Sequence, residues 1–341
     1  MGRGDGWYGA VGRRAFFAFP PEASHRVATS LLSLPLPWER IGGAARDQDL
    51  EVDLCGVRLS NPIGLAAGFD KACRHLDALG RLGFGFVVGG TITRAPRVGN
   101  RKPRIVRSTG RRAIVNSMGL PNPGARVAAA SLARTRRTAP RFASVADEDL
   151  GSAAETVALL APHVDGFELN ASSPNAPWRH DPAHLGTLLG AFRERTDRPV
   201  LLKLPPFTGE EDRSAVLDLA RAAVDAGARG LVCSNTIPVQ EPRLVAGRGG
   251  LSGGPLSDLT PRVVSAVAAA TGPAVPIVAC GGIFTAKDVR ACLDAGAIAV
   301  QLYTGLIYRG PGIVGALTRG LDEGLIGDHP GGRAPGGAPG S

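Results

Sequence analysis

Polar side chains crowd one short stretch of the chain, LNASSPNAPW, at residues 169 to 178. An apolar segment ends at Asn170, and Ser173 and Asn175 follow on either side of a proline that restricts the backbone of the loop. A lone asparagine or serine at such a place ordinarily satisfies turn backbone. Several together suit a small planar ring with carbonyl and N–H groups, such as a pyrimidine, because asparagine offers two donors and an acceptor without charge.

Further polar residues follow other apolar runs of the chain. Asn116 and Asn235 are expected to converge with the first stretch, and Lys71 or Lys203 could supply a cation for a carboxylate or a reduced cofactor. Late in the chain, the glycine pair of ACGGI and the run Tyr-Thr-Gly of QLYTG leave backbone amides bare, which suits a phosphate. These residue types predict a site for a planar ring beside a phosphorylated ligand.

Acid/base chemistry has few candidates in this set. No histidine follows the apolar runs at these places, and Asp70 is expected to be the charge partner of the adjacent Lys71. Proton transfer would therefore fall to Ser173 or a lysine, although serine is a poor base unless its surroundings assist it.

Eight short apolar runs would position these groups. Most are followed by a stretch with helical patterning, which is typical of an α/β fold of the (β/α)8 TIM barrel type. Enzymes of this fold build their sites at the carboxyl ends of the strands, where the polar residues stand. The runs are IGLAAG (63 to 68), FVVGG (86 to 90), FASVA (142 to 146), GFELN (166 to 170), VLLKL (200 to 204), GLVCSN (230 to 235), PIVAC (276 to 280) and AIAVQL (297 to 302).

Composition narrows the classes of function. The 341 residues are 44% hydrophobic, enough for one large domain with appendages, and the net charge of +9 is spread over the chain. No basic run with interleaved aromatic residues indicates nucleic acid, and the five scattered cysteines favour reduced thiols over disulfides or a metal site. No segment reaches the roughly 18 apolar residues of a membrane span, so a soluble or peripherally attached protein is expected.

The chain divides into four predicted parts. Residues 1 to 12 and 326 to 341 are rich in glycine or proline and are expected to be disordered, while residues 46 to 325 form the barrel. Residues 13 to 45 form a short helical extension in which a helix is predicted from Pro21 or Glu22 to about Leu34. Its many apolar residues either dock on the barrel or form a lid that faces a membrane or a hydrophobic ligand.

Several motifs, in order along residues 12 to 320, resemble dihydroorotate dehydrogenase, the FMN-dependent enzyme of pyrimidine (UMP) biosynthesis. They are NPIGLAAGFDKACRHLDALGRLGFGFVVGGTIT, GNRKPRIVR, LNASSPNAP, VCSNT, GGLSGGPL, ACGGI and VQLYTGLIYRGP. Three features are similar to the membrane-associated, quinone-reducing class 2: the segment PPEASHRVA, the GFDK motif, and a serine where class 1 enzymes carry a cysteine base.

The resemblance implies a role for each matching residue. Ser173 would abstract the C5 proton of dihydroorotate while a hydride passes from C6 to FMN, giving orotate. Substrate contacts are implied for Lys71, Asn116, Asn170, Asn175, Asn235 and Thr236. FMN contacts are implied for Ala66, Ala67, Gly68, Gly90, Thr91, Ser144, Asn170, Lys203, Ser234, Ser252, Gly253, Gly281, Gly282, Tyr303 and Thr304. His25, Arg107 and Tyr303 match positions that line a quinone tunnel, and a peripheral place on the cytoplasmic side of the cell membrane is implied.

The chain departs from the class 2 pattern around the proton-transfer side of the site. Leu120, in NSMGLPNPG, stands where that class has an active-site phenylalanine, and Ala176 replaces a threonine that assists the serine. The segment SVADEDLG after Ser144 is shorter and more acidic than usual, and Trp178 is present in the altered loop. Two alternatives therefore stay open: a related flavin oxidoreductase that uses fumarate, NAD or another cyclic amide, and a non-catalytic barrel that binds FMN or a pyrimidine.

Overall fold

The computed structural model describes residues 8 to 43, 50 to 146, 149 to 171 and 182 to 327. Its strands, in chain order, are β1 Val52–Leu54, β2 Val57–Leu59, β3 Ile63–Leu65, β4 Phe86–Ile92, β5 Ile105–Ser108, β6 Ala113–Asn116, β7 Arg141–Ala146, β8 Gly166–Asn170, β9 Val200–Lys203, β10 Gly230–Cys233, β11 Ile237–Gln240, β12 Arg248–Gly253, β13 Ile277–Cys280 and β14 Ala299–Leu302. The described helices are α1 Arg13–Ala18, α2 Pro21–Leu32, α3 Trp38–Gly42, α4 Leu76–Arg81, α5 Ala125–Arg134, α6 Leu150–Leu160, α7 Pro182–Arg193, α8 Glu210–Asp225, α9 Leu259–Thr271, α10 Ala286–Asp294, α11 Thr304–Arg309 and α12 Ile313–Gly327.

Eight parallel strands close into a barrel in the order β10-β13-β14-β3-β4-β7-β8-β9. Each of the eight apolar runs contributes one of these strands, so the predicted (β/α)8 barrel is confirmed. The strands are buried on both faces, by the barrel interior and by the surrounding helices, which is why they read as continuous apolar runs.

An antiparallel hairpin closes the amino-terminal end of the barrel. Strands β1 and β2 pair antiparallel and bury Leu54 and Leu59 against the first residues of the barrel strands. Among these, the rings of Phe86 and Phe142 meet edge to face with centroids 5.8 Å apart. This apolar plug confines polar side chains of the barrel interior to the opposite, carboxyl-terminal half.

A second sheet, which the sequence did not predict, is built from two excursions at the carboxyl-terminal end. Strands β11, β12, β6 and β5 form a four-stranded sheet in that order, with antiparallel pairing throughout. Strand β6 belongs to the connection between β4 and β7, whereas β11 and β12 follow β10. The sheet therefore joins residues that are far apart in sequence over one side of the barrel rim.

The amino-terminal extension forms three short helices. Helix α2 begins with Pro21 at its first position, where a missing N–H group costs nothing, and ends two residues before the predicted Leu34. Within the predicted disordered start, residues 1 to 7 lie outside the described residues. Tyr8–Gly12 form a single π-helical turn, and the buried Tyr8 hydroxyl donates to the carbonyl of Ile307 at 2.8 Å. Of the predicted tail, residues 328 to 341 lie outside the described part.

Candidate functional site

Lys71 lies in the loop after β3, at the carboxyl-terminal rim of the barrel. Its Nζ donates to the carbonyl of Gly68, a glycine with positive φ whose own N–H bonds to the Gly90 carbonyl at 2.7 Å. Burial lowers the pKa of Lys71 to about 8, and Arg104 adds to this effect, while Glu22 and Asp70 oppose it. Lys71 is therefore a desolvated cation at neutral pH, suited to an anionic ligand.

The Asp70 carboxylate acts against burial to raise the pKa of Lys71, as expected of its charge partner. The same carboxylate accepts backbone hydrogen bonds from His75 at 2.6 Å and from Ala72 at 3.3 Å. It acts on Lys71 through space and shapes the loop that carries the lysine.

Three predicted residues form a hydrogen-bonded chain along the rim. The Asn170 Nδ2 donates to Thr91 Oγ1 at 3.2 Å, and this hydroxyl lies 2.9 Å from Ser144 Oγ. Their strands β8, β4 and β7 are neighbours in the barrel, so the register places the three side chains together. The chain fixes the orientation of the Asn170 amide. Ser173 and Asn175, which follow it in sequence, lie outside the described residues.

The second sheet brings Asn116 to the residues that follow β10. Asn116 ends β6 and its Nδ2 is 3.5 Å from the carbonyl of Gly250. A Cβ at Gly250 would lie 2.0 Å from Thr236 Oγ1, so only glycine permits this approach. The Thr236 N–H donates to Asn235 Oδ1 at 2.8 Å, and Ser234 Oγ contacts the Asn235 carbonyl. The sheet thus joins predicted ring-binding residues from distant parts of the chain.

The loop after Asn116, which departs from the class 2 pattern, is held by side chains that sequence reasoning missed. Asn100 Nδ2 donates to both the carbonyl and the hydroxyl of Ser117. Asn122 Nδ2 donates to Thr93 Oγ1 at 2.8 Å and to the carbonyl of Leu120 at 2.9 Å. Leu120 itself has a φ of 53°, in the left-handed region that is costly for a leucine. The sequence offered no signal for these contacts beyond the loop's high asparagine content.

A cradle of small and hydroxyl residues lies where β12, β13 and β14 end. Ser252 Oγ is 2.9 Å from Thr304 Oγ1, and Gly281 and Gly282 both have positive φ. A Cβ at Gly282 would lie 2.4 Å from the backbone nitrogen of Ser257, and one at Gly253 would lie 2.2 Å from the Arg112 carbonyl. Backbone amides of successive glycines and two hydroxyls form a donor set that suits a phosphate.

The remaining predicted cofactor residues frame the top of the barrel interior. Ala66 is held by its N–H to the Leu302 carbonyl at 3.0 Å, and Ala67 packs against the apolar interior cluster. Lys203 is the last residue of β9 and is in register with Asn170. The predicted residues that the structure describes thus stand around one end of the barrel.

Two buried polar residues beneath the rim were missed. Glu168 Oε1 accepts from Lys203 Nζ at 3.3 Å, and Glu168 Oε2 accepts from Gln301 Nε2 at 2.9 Å. Burial lowers the pKa of Lys203, but the Cys280 sulfur and the Glu168 carboxylate act in the other direction, and the net pKa is raised. A signal was available in GFELN and AVQL, since a glutamate or glutamine inside a buried strand requires a partner.

An apolar cavity of about 540 Å³ lies between the extension and the rim. It is lined by His25, Arg107 and Tyr303, the three residues matched to a quinone tunnel, and also by Lys71 and Phe69. The Phe69 ring contacts His25 edge to face at 5.1 Å and Tyr303 at 5.8 Å.

Burial keeps two titratable ring residues of this cavity, His25 and Tyr303, uncharged. Burial, with Lys71 and His75 nearby, lowers the pKa of His25 to about 4, and burial raises the pKa of Tyr303 to about 12. Both side chains are therefore neutral at pH 7. The charge of Arg107 is directed to the wall, since its guanidinium lies 4.4 Å from the Phe17 ring centroid and donates to the Phe19 carbonyl at 2.9 Å. The part of the cavity lined by the neutral rings of His25, Phe69 and Tyr303 suits an apolar ring compound.

The extension is tied to the rim by an ion pair. Glu22 on α2 accepts from Arg104 at 2.9 Å, and only 10% of the Arg104 side chain is exposed. Arg104 also donates to the carbonyls of Val98 and Asn100, so it holds the loop that precedes β5. No helix within the described ranges is long and apolar enough to cross a membrane.

Known proteins match this chain over most of its length. A family model described as Dihydroorotate dehydrogenase matches residues 49–325. A protein of Erythrobacter litoralis named Dihydroorotate dehydrogenase (quinone) is 39% identical over 329 residues, covering 92% of this chain and 94% of that protein. One of the same name from Leifsonia xyli subsp. xyli is 38% identical, covering 89% of this chain and 95% of the relative.

Solved structures agree with the sequence relatives. The crystal structure of DHODH from Eimeria tenella in complex with ferulenol has a TM-score of 0.78 and 30% identity, covering 90% of this chain and 92% of that one. Its ligand-free counterpart has a TM-score of 0.79 and 29% identity, with 90% and 95% covered.

Proposed function

The chain belongs to the dihydroorotate dehydrogenase family, and we propose that it oxidises dihydroorotate to orotate in pyrimidine biosynthesis with quinone as the electron acceptor. The relatives named for quinone cover about nine-tenths of the chain, which favours quinone over fumarate or NAD. The observation that carries the proposal is the single cavity that both Lys71 and the extension residue His25 line. One protein unit thereby offers a cation for the substrate and an apolar path for the acceptor.

FMN is the proposed cofactor. The phosphate would be held by the cradle of Ser252, Thr304 and the glycine pair Gly281 and Gly282, whose donors are described above. Lys203 and the Asn170–Thr91 pair stand at the rim, where the ring would lie. Held by these residues, FMN would supply the chemistry of hydride acceptance from the substrate and of electron transfer to the quinone.

The chain's own residues then have distinct tasks. Lys71, protonated at neutral pH, binds the substrate carboxylate, and burial strengthens that attraction because little water screens it. Asn170, Asn116 and Thr236 bind the ring amides; Thr91 accepts a hydrogen bond from the Asn170 amide, and Gly250 lies against both Asn116 and Thr236. Ser173 is proposed from sequence alone as the base that takes the C5 proton, and Asn175 as a further ring ligand.

Peripheral attachment to the cytoplasmic side of the cell membrane is also proposed. Six large hydrophobic residues between Val11 and Leu36, five of them in the extension, are exposed, from 69% at Val11 and 59% at Phe19 down to 36% at Leu36. Exposed Arg13, Arg14 and Arg26 accompany them. Apolar and basic side chains on short helices are the combination that binds an anionic lipid surface. Co-sedimentation with anionic vesicles tests this, and loss of binding should follow from Phe19→Ser with Leu31→Ser.

An anaerobic visible spectrum tests the reaction. Purified protein should show an oxidised flavin band that bleaches when dihydroorotate is added and returns when a soluble quinone follows. Recovery with fumarate or NAD but not quinone would refute the acceptor. A flavin band that stays oxidised with dihydroorotate would refute the substrate, and a protein that takes up no flavin would refute the proposal as a whole.

A further inference from the structure

A charged layer crosses the barrel directly beneath the proposed flavin site. Glu168 on β8 bonds Gln301 on β14, and these strands are diametrically opposite, four places apart in the ring of eight. Lys203 on β9 contacts both side chains, at 3.3 Å from Glu168 and 3.4 Å from Gln301. Its ammonium group therefore lies between two opposite walls of the barrel, beside Glu168, which stands two residues before the rim residue Asn170.

This layer is energetically costly as a purely structural element. Only 1% of the Glu168 side chain and 6% of the Lys203 side chain are exposed. Replacing a buried ion pair by apolar residues of similar volume is often neutral or stabilising, by roughly 1 to 4 kcal/mol. The other end of this barrel is filled with apolar residues, including Phe86 and Val232. A polar layer only on the site side points to a role in the site.

We propose that Glu168 is a positioning residue that holds Lys203 protonated and in place under the bound flavin. The reduced flavin ring then lies next to a positive charge. The inference rests on the proposed FMN site. Reduction of a flavin by two electrons adds negative charge, and a cation that is already in place stabilises that charge without reorganisation. Without the carboxylate, burial favours the neutral amine, because desolvation disfavours the charged form.

The groups that face Lys203 are few. Glu168 comes from β8, Gln301 from β14 and Cys280 from β13. Burial raises the pKa of the Cys280 thiol, which leaves it neutral, and Gln301 does not ionise. Glu168 is therefore the one anion among these neighbours, and its removal should allow Lys203 to lose its proton near neutral pH.

The test is the pH dependence of the flavin midpoint potential in Glu168→Gln, a change that keeps the side chain's size. Lys203 should then be neutral beside oxidised flavin and should take up a proton from solvent when the flavin is reduced. The potential should consequently show one further proton per two electrons over part of pH 6 to 10, a slope absent from wild type. Adding Lys203→Arg, a cation that does not titrate, should remove the extra slope.

Control variants and wild type separate the outcomes. Glu210→Gln, at an exposed position on α8, should leave the potential unchanged. If Glu168→Gln does not fold, the single variant Lys203→Arg is compared with wild type. The two should have pH profiles of the flavin midpoint potential with the same shape, because Lys203 keeps its proton in wild type. The inference would be overturned, with FMN binding intact, if the midpoint potential of Glu168→Gln had the same pH dependence as that of wild type. It would also be overturned if wild type showed an extra proton uptake that Lys203→Arg removes. A wild type that takes up no FMN overturns the proposed function with it.

Discussion

Orotate binding should weaken above about pH 8, because Lys71 then loses the proton that makes it a cation. A fall in the pKa from 10.5 to about 8 corresponds to a cost of about 3 kcal/mol for holding the charge in the free protein, at about 1.4 kcal/mol per unit. Between pH 8 and pH 10.5 Lys71 is protonated in the unfolded chain but neutral in the folded protein. The loss of folding stability caused by the buried charge is therefore complete below pH 8 and disappears as the pH rises toward 10.5. A bound carboxylate offsets this cost.

The affinity for orotate should therefore be constant below pH 8 and fall about tenfold per pH unit above it, because the orotate carboxylate binds only to protonated Lys71. Lys71→Met, which keeps the apolar stem, should weaken orotate binding by about 10²-fold at pH 7, as a loss of about 3 kcal/mol implies. FMN affinity should change little, since the phosphate cradle lies elsewhere on the rim.

Isothermal titration calorimetry with orotate between pH 6 and 10 provides the assay. The Lys71→Met profile should have no break near pH 8. The reasoning is refuted if wild-type affinity is constant across this range, if the same break persists in Lys71→Met, or if this variant loses FMN and orotate equally.

Three further outcomes are expected. Ser173→Ala should retain FMN, but dihydroorotate should reduce the flavin about 10²-fold to 10⁴-fold more slowly at pH 7, the usual contribution of a general base. An unchanged rate of flavin reduction in stopped-flow experiments would exclude Ser173 as the base. Deleting residues 1 to 37, which keeps the buried Trp38, should abolish quinone reduction but leave the bleaching of the flavin by dihydroorotate. Because the deletion also removes the Glu22–Arg104 ion pair, worth roughly 1 kcal/mol, the KM for dihydroorotate should rise only about fivefold. A truncated protein with full quinone activity would contradict the proposed acceptor path. Because the pKa of His25 is lowered to about 4, docking of the extension should be favourable above pH 6.5 and weaken as the pH falls. Proteolysis within α2 should be about 20-fold faster at pH 5 than at pH 7, and His25→Gln should remove that difference.

Local pattern was sufficient to predict the barrel. FVVGG and PIVAC consist of apolar residues because their strands β4 and β13 are buried, and that signal is present in the sequence without knowledge of neighbours. The start of α2 could be read from Pro21 for a similar reason, since proline fits the first helical turn. The rim residues follow from the fold, because all strand ends of a parallel barrel point the same way.

The second sheet could not be read in the same way. IVRS, AIVN, IPVQ and RGGLSG are short and mixed in polarity, and they pair only because two excursions separated by more than a hundred residues meet over the rim. The approach of Asn116 and of Thr236 to Gly250 depends on that pairing and on the missing side chain of the glycine. The pairing of Glu22 with Arg104 likewise depends on how α2 docks.

The sequence by itself thus determined the barrel, the order of its strands and which residue types reach its rim, because periodic burial and strand polarity are local properties of the chain. Only the tertiary structure decided which of those groups meet. Glu168 and Gln301 lie 133 residues apart and touch because closure of eight strands places them on opposite walls at one level. That contact depends on the register and stagger of every intervening strand, which no local pattern encodes.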